Sequence, residues 1–207
     1  MPGMRRRAWF ALAAGGPFAG VLLARYTSDV TRSRARGFRA GYFPNVVLRT
    51  HENEAVRFYD DLLKDKVVVI NFMYARCEGI CPLVMSNLVQ VQRILGERVG
   101  RDIFMYSITL KPKEDTPEVL KRYAQMHGVQ PGWLFLTGRP TDIELIRRKL
   151  GAVDPDPAVD ADTSNHIGLI RYGDEALERW AACPGQATPT WIARLIVSVG
   201  ATGDAEG

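Results

Sequence analysis

An apolar run that ends in a pair of cysteines constrains the fold of this chain more than any other feature. The run Val67–Tyr74 reads VVVINFMY, and after two intervening residues it is followed by Cys77-Glu-Gly-Ile-Cys81-Pro82. A continuous apolar and β-branched run of this length is typical of a strand buried on both faces. Proline suits the first position of a helix, because its missing N–H has no partner there. We therefore predict a strand, a turn that carries two thiols, and a helix that begins at Pro82.

The length and charge of the chain indicate one folded domain behind a basic extension. The 207 residues, 46% of them hydrophobic, fit a globular domain of about 160 residues and an N-terminal segment. Residues 1–41 hold eight Arg and one Asp, a charge of +7, so residues 42–207 carry −3 of the total of +4. The basic charge belongs to the extension. We therefore expect no nucleic-acid surface on the folded domain.

The N-terminal extension has the composition of an export signal or a membrane anchor. Arg5-Arg6-Arg7 precedes the uncharged stretch Ala8–Ala24, whose 17 residues lie at the lower limit for crossing a hydrocarbon core. Four alternatives stay open: an uncleaved anchor, a cleaved secretory signal, a twin-arginine signal at Arg6-Arg7, and a buried helix of a cytoplasmic protein. No small-x-small cleavage pattern follows Leu23, which favours the anchor.

Three regions follow from these observations. We predict a signal or membrane anchor at residues 1–28, a linker at residues 29–41, and a folded domain at residues 42–202. The folded domain is expected on the extracytoplasmic, periplasmic side of the inner membrane, tethered by residues of about 8–24 or exported by a cleaved signal. Three cysteines fit no scaffold of several disulfides.

Predicted strands and helices alternate along the folded part. We predict strands at 67–74, 102–110, 133–137 and 166–172, helices starting at Pro82, Pro117, Pro140 and Pro189, and a β-hairpin made of 46–48 and 55–59. This order predicts an α/β fold with a central mixed sheet flanked by helices and an N-terminal β-hairpin extension. The chain has no internal repeat and no phosphate-binding glycine motif, so nucleotide binding has no support.

Two thiols in one turn are compatible with three roles: a redox couple, a metal-binding site, or inert residues of the core. The spacing C-x-x-x-C is one residue longer than that of thioredoxin-like redox motifs. A helix N-terminus lowers the pKa of a nearby thiol. Soft thiolates select Cu(I), a third imidazole ligand would also hold Cu(II), and Zn(II) is chemically open.

Further candidates for a site are few, since the chain has only three His and one more Cys. We interpret Cys183 as a structural residue, because no partner stands at a useful spacing. His51 lies among charged residues in a turn, and His127 precedes Gly128 at the end of a helix, so both are interpreted as structural or exposed. His166 ends a polar loop just before a predicted strand, where it can face the thiols.

Five segments, spread over about residues 42–199, carry a resemblance to a known family: Tyr42–Asn45, Phe58–Leu62, Asn71–Pro82, Asp115–Glu118 and Asn165–Ile167. Together they resemble the Sco/SenC family, which comprises thioredoxin-fold, membrane-tethered copper proteins of cytochrome c oxidase assembly. The resemblance implies a thioredoxin-like fold and copper as the cofactor, with Cys77, Cys81 and His166 as the ligands. One position departs from the pattern, because Lys111 stands before Pro112 where family members often carry Asp.

The resemblance implies a metallochaperone that delivers copper to the copper-site subunit of cytochrome c oxidase, which is a binding protein rather than an enzyme. The alternative is a thiol–disulfide oxidoreductase that keeps oxidase cysteines reduced through a redox-active disulfide between Cys77 and Cys81. A thioredoxin-like reductant, a second copper carrier and the membrane are the other partners expected. An inert interaction module and a peroxidase have less support, the latter because Arg76 alone indicates little.

Overall fold

Strands and helices alternate through most of the chain in a computed structural model, which describes residues 41–77, 79–162 and 168–200. Residues from Phe43 onward belong to one compact unit. The strands of this part are β1 Val47–Thr50, β2 Ala55–Arg57, β3 Val67–Met73, β4 Ile103–Thr109, β5 Trp133–Thr137, β6 Leu169–Asp174 and β7 Arg179–Pro184. The α-helices are α1 Cys81–Leu95, α2 Pro117–Met126, α3 Pro140–Lys149, α4 Pro157–Asp160 and α5 Pro189–Val199, with a π-helical segment at Phe58–Leu63 and a 3₁₀ turn at Gly96–Arg98.

The seven strands form one mixed sheet in the order β2-β1-β5-β4-β3-β6-β7. Strand β3 lies near the middle and pairs in parallel with β4, which in turn pairs in parallel with β5. The remaining pairs, β1 with β2, β1 with β5, β3 with β6 and β6 with β7, are antiparallel. The carboxyl ends of the parallel strands β3 and β4 therefore lie side by side at one end of the sheet. There β3 leads into the turn that carries the thiols.

The sheet has a hydrophobic core on each face, and β3 contributes to both. Val69 and Met73 pack against α1, α2 and α5 on one face. Ile70 and Phe72 point to the other face, where they pack with the π-helical segment and α3. The continuous apolar run is thus explained by a central strand that no solvent reaches from either side.

The predicted α/β architecture with a mixed sheet, flanking helices and an N-terminal hairpin is confirmed. Four local differences from the prediction stand out. Helix α1 begins at Cys81, one residue before the predicted start, and the second hairpin strand ends at Arg57 because residues 58–63 turn into a π-helix. Strand β6 runs to Asp174 rather than to residue 172, and α4 lies within the stretch predicted as a loop.

The predicted N-terminal signal, most of the linker and His166 lie outside the described residues. Within 41–77, 79–162 and 168–200, no helix has the length and apolarity needed to cross a membrane. The predicted regions 1–28, 29–41 and 42–202 therefore remain predictions.

Candidate metal centre

The two cysteines of the dithiol turn, residues 74–81, differ in exposure. Cys77 is half-buried in the turn, whereas Cys81 is the first residue of α1 and only 1% exposed. Both are free thiols. Pro82 stands in the first turn of α1, where no backbone N–H is needed. One sulfur is therefore accessible from outside and the other is held inside the helix N-terminus.

The surroundings of Cys77 favour its thiolate. Burial on its own raises the pKa of this thiol. Hydrogen bonds outweigh burial: they come from the Cys81 thiol, from the backbone N–H groups of Cys81 and Gly79, and from the Tyr74 hydroxyl. The net result is a pKa of Cys77 below its ordinary value. Donors aimed at a sulfur stabilise negative charge there, so Cys77 is the nucleophilic member of the pair.

Cys81 is held in the opposite protonation state. Burial is the main cause that raises its pKa, and its hydrogen bond to the Cys77 sulfur raises the pKa further. The two sulfurs interact directly, so they titrate as a pair, with the first proton lost from Cys77 and the second retained on Cys81. As the pH rises, Cys77 therefore becomes a thiolate before Cys81 does.

The dithiol turn is fastened to the loop that follows β4. The backbone N–H of Leu110 donates to the carbonyl of Met73 at 2.8 Å. The carboxylate of Asp115, only 2% exposed, accepts from the Ala75 N–H at 3.1 Å and from the Thr109 hydroxyl at 2.5 Å. Burial raises the pKa of Asp115, while these two donors oppose the rise. The loop therefore fixes the backbone from which the thiols project.

Two tyrosines line the sulfurs. The pKa of Tyr74 is raised to about 12, first by its hydrogen bond to Cys77 and then by burial. Tyr123 of α2 lies near enough to both thiols that their charges, after burial, raise its pKa. Sequence reasoning missed Tyr74, Tyr123 and Asp115 as parts of the site: the two tyrosines lie near the thiols, and Asp115 holds the backbone of the turn at Ala75.

The segment that contains His166 starts and ends beside the dithiol turn. Asp162 precedes it and lies near enough to Tyr74 for its charge to raise the pKa of that phenol. Gly168 follows it, and a Cβ added there would lie 3.8 Å from Cδ1 of Ile80, the residue before Cys81. The Gly185 N–H donates to the Gly168 carbonyl at 2.7 Å and so ties this end in place.

The other two histidines serve the fold. Nδ1 of His51 accepts from the Phe135 N–H at 3.1 Å, and burial lowers the pKa of this ring. His127 caps α2 with its ring 4.5 Å from the ring of Tyr123, and burial lowers its pKa as well. Among the described residues, no three His, Cys, Asp or Glu side chains gather as a metal site. The predicted third ligand, His166, lies outside the described residues.

The third cysteine lies inside the sheet. Cys183 of β7 stands opposite Ile170 and is 1% exposed in the same core as Cys81. Burial raises its pKa to about 11. A buried thiol without donors is inert, in agreement with its interpretation as a structural residue.

Comparison with known proteins decides the family. The model of the SCO1/SenC family matches residues 47–178, which is more than half of the chain. This chain belongs to the SCO1/SenC family. The SCO2-like protein of Rickettsia felis is 32% identical over 130 residues, which cover 59% of this chain and 62% of that protein. This member thus spans less than two thirds of the length of its curated relative.

Solved structures of Sco proteins share the fold. Bradyrhizobium japonicum ScoI, determined with copper bound, has a TM-score of 0.58 at 24% identity and aligns over 74% of this chain and 96% of its own. Yeast Sco1, also with copper bound, has a TM-score of 0.57 at 23% identity over 73% of this chain and 87% of its own. The predicted thioredoxin-like fold of this SCO1/SenC member is therefore confirmed.

Proposed function

We propose that this chain binds copper outside the cytoplasm and hands it to the copper-site subunit of a terminal cytochrome c oxidase. The observation that carries the proposal is the pair of free thiols at the N-terminus of α1, one poised as thiolate and one buried as thiol. Soft thiolates select Cu(I) over harder cations. Membership of the SCO1/SenC family and the copper-bound structures of its relatives support the same cargo.

The proposed ligands are Cys77, Cys81 and His166. Two thiolates and one neutral imidazole suit copper in either oxidation state. The positions of Asp162 and Gly168 support the third ligand, because the five-residue segment between them begins and ends beside the dithiol turn. The described part of the chain offers no rival to His166, since His51 and His127 are engaged in packing elsewhere.

Copper is cargo in this proposal, and it moves by exchange of ligands. The half-exposed Cys77 is the sulfur that an incoming thiolate ligand of a donor or recipient can approach. The buried Cys81 must lose its proton when copper binds, because a metal takes the thiolate form. Loading at neutral pH should therefore release about one proton from Cys81, and unloading should take it back.

A copper titration tests the ligand set. Reduced protein and its His166→Ala variant are titrated with Cu(I) against a chromophoric chelator, with His127→Gln as the matched control. We expect His166→Ala to weaken binding by about tenfold or more, while His127→Gln binds like the unaltered protein. Equal affinity of the unaltered protein and His166→Ala would refute the assignment of His166.

The recipient and the location need tests of their own. Copper-loaded protein mixed with the purified copper-site subunit should transfer its metal, and retention of all copper by this chain would exclude direct delivery. Residues of about 8–24 are proposed to tether the chain to the inner membrane, or to export it if they are cleaved. Protease added to intact spheroplasts should then digest the folded domain, whereas protection would place it in the cytoplasm.

Thiol–disulfide exchange is the second candidate, and the asymmetry of the dithiol favours it. A half-buried thiol with a lowered pKa next to a buried thiol with a raised pKa is the arrangement by which a reductase attacks and then resolves a mixed disulfide. This activity would keep oxidase cysteines reduced and needs Cys77 and Cys81 alone. Reductase activity that survives His166→Ala, together with unaltered copper affinity, would make it the main function.

A further inference from the structure

The outer face of the helix pair α1 and α5 exposes large apolar side chains. The two helices lie side by side, because the Asn87 side chain of α1 donates to the carbonyls of Gly185 and Ala187 at 2.9 and 3.2 Å, just before α5 begins. Their inner faces share one core. Four large apolar residues of the outer surface, which we call the α1–α5 face, are between 37% and 51% exposed: Leu83, Ile94, Trp191 and Val197. Exposed apolar groups gathered on one surface indicate an interaction site.

The charged side chains of the two helices are all basic. Helices α1 and α5 contain no Asp or Glu, although residues 42–207 hold 22 of the 23 acids of the chain. Arg93 of α1 and Arg194 of α5 are exposed. A groove of about 390 Å³ runs between the helices, and the described residues that line it include Arg98 and Arg194 but no acid. Asp102 lies 3.7 Å from Arg98, so Arg93 and Arg194 supply most of the charge. The α1–α5 face therefore combines apolar groups with positive charge on a domain whose total charge is negative.

We propose that the α1–α5 face docks onto the surface of an anionic bilayer, the membrane to which residues of about 8–24 are proposed to tether the chain. Apolar and Trp side chains enter the boundary between headgroups and acyl chains, while arginines contact anionic headgroups. The 17 residues 25–41 span at most about 60 Å, so a tethered domain stays within reach of the headgroups. A protein partner would match the apolar groups equally well, but the charge and the tether together favour lipid. The inference therefore rests on the proposed location of the chain.

Docking of the α1–α5 face would set the position of the dithiol turn. Helix α1 begins at Cys81, and Leu83 belongs to the docked face, so the thiols would lie beside the bilayer. A copper donor or recipient anchored in the same membrane would then meet them at one fixed height. The face thus orients the domain, while the thiols bind the metal.

Oxidation by hydroxyl radicals measures the exposure of these side chains. The full chain is placed in nanodiscs of phosphatidylcholine alone and of phosphatidylcholine mixed with phosphatidylglycerol, and the oxidised side chains are mapped by mass spectrometry. With the anionic lipid we expect Trp191 and Leu83 to be oxidised about fivefold more slowly, because lipid covers them. Leu145 of α3 is the matched control for Leu83, since it is 40% exposed on the other face of the sheet. Its rate should change less than about twofold.

Reversal of one charge tests the role of the lipid headgroups. Arg194→Glu should reduce the protection of Trp191 from about fivefold to less than about twofold, since a carboxylate is repelled by anionic lipid. Lys64→Glu makes the same change of charge at an exposed position next to the π-helical segment, on the other side of the sheet. This control should leave the protection of Trp191 intact.

Three outcomes would overturn the proposal. The first is equal oxidation of Trp191 in the two kinds of nanodisc, and the second is an equal effect of Arg194→Glu and Lys64→Glu. The third is protection that appears without lipid and grows with protein concentration, which would show that a second copy covers the α1–α5 face. Entry of the chain into the nanodiscs reports on the tether, and the Cu(I) titration reports on the copper ligands, so those proposals fail separately from this one.

Discussion

The dithiol turn and strand β7 each hold a cysteine, and the same side chain has opposite properties in the two places. Around Cys77, hydrogen-bond donors outweigh burial and lower the pKa of the thiol. Around Cys183, burial acts alone and raises the pKa to about 11. The comparison teaches that burial does not decide the reactivity of a thiol here. The supply of donors does.

The difference in donors has a backbone cause. In β7 the Cys183 side chain stands roughly perpendicular to the sheet, whereas the N–H groups of the strand lie in the plane of the sheet, so they do not point at the sulfur. At the N-terminus of α1 the first N–H groups have no helical partner. The Cys81 N–H is therefore free to donate to Cys77, and the N–H of Gly79, in the turn before the helix, donates to it as well. The strand leaves the Cys183 thiol without donors, and the turn that leads into α1 supplies them to Cys77.

The largest expected effect is a difference in alkylation rate. Iodoacetamide at neutral pH should modify Cys77 about a thousandfold faster than Cys183, since a core strand must open locally before reagent can reach it. The rate at Cys77 should reach half its maximum below the pH of about 8.5 typical of a free thiol, because its pKa is lowered. Peptide mapping by mass spectrometry measures both rates, and similar rates without denaturant would remove the contrast.

The next largest expected effect is the loss of Cu(I) affinity when each cysteine is replaced. Cys77→Ser and Cys81→Ser should each weaken Cu(I) binding by about a hundredfold or more, because a soft ligand is replaced by a hard one. Cys183→Ser is the matched control in the same core, and its affinity should stay within about twofold. A chelator competition measures all three, and a loss of affinity in Cys183→Ser alone would reverse the proposed roles.

The sequence was sufficient to predict the strand, the turn and the helix around the thiols, because β3 and α1 follow from local composition. Strand β7 was not predicted individually: it lies at the sheet edge, and Cys183 is its one buried residue, so no alternation marks it. Helix α4 has four residues, too few to show a helical period.

The contact by which Asp115 holds the dithiol turn could not be predicted from the sequence, for a different reason. The segment that contains Asp115 was predicted only as a helix start, and Thr116 does cap α2 through the Val119 N–H. The contact of Asp115 with Ala75 spans 40 residues and depends on the parallel pairing of β3 and β4. Pairing of distant strands is not encoded in local periodicity. The role of His166 stays a prediction.

Loss of the buried carboxylate should weaken the turn while leaving β7 unchanged. Asp115→Ala leaves the Ala75 N–H and the Thr109 hydroxyl without an acceptor, and we expect a loss of about 2 kcal/mol in the free energy of unfolding. Asp115→Asn keeps one oxygen and should lose about half as much. The exposed Glu114→Ala is the control, expected within about 0.5 kcal/mol. Urea unfolding measures the three, and an unchanged Asp115→Ala would mean that the turn does not need this anchor.

The smallest expected effect is a difference in the pH dependence of stability, and it has opposite signs in the two regions. A thiol whose pKa is raised in the folded state contributes stability that is full below the pKa of the unfolded state and is lost as the pH rises through the pKa of the folded state. Because of Cys183, the free energy of unfolding should therefore fall between about pH 9 and about 11. Cys183→Ala should flatten that decline.

Cys77 should behave in the opposite way, because its pKa is lowered. Its contribution to stability is full above the pKa of the unfolded state and is lost as the pH falls through the pKa of the folded state. Cys77→Ala should therefore differ most from the unaltered protein at alkaline pH, as a loss of stability. Urea unfolding from pH 6 to 10.5 measures both variants against the unaltered chain, and the difference for Cys77→Ala includes the change that it causes in the pKa of Cys81. Differences of the same sign would show that burial, and not the supply of donors, controls both thiols.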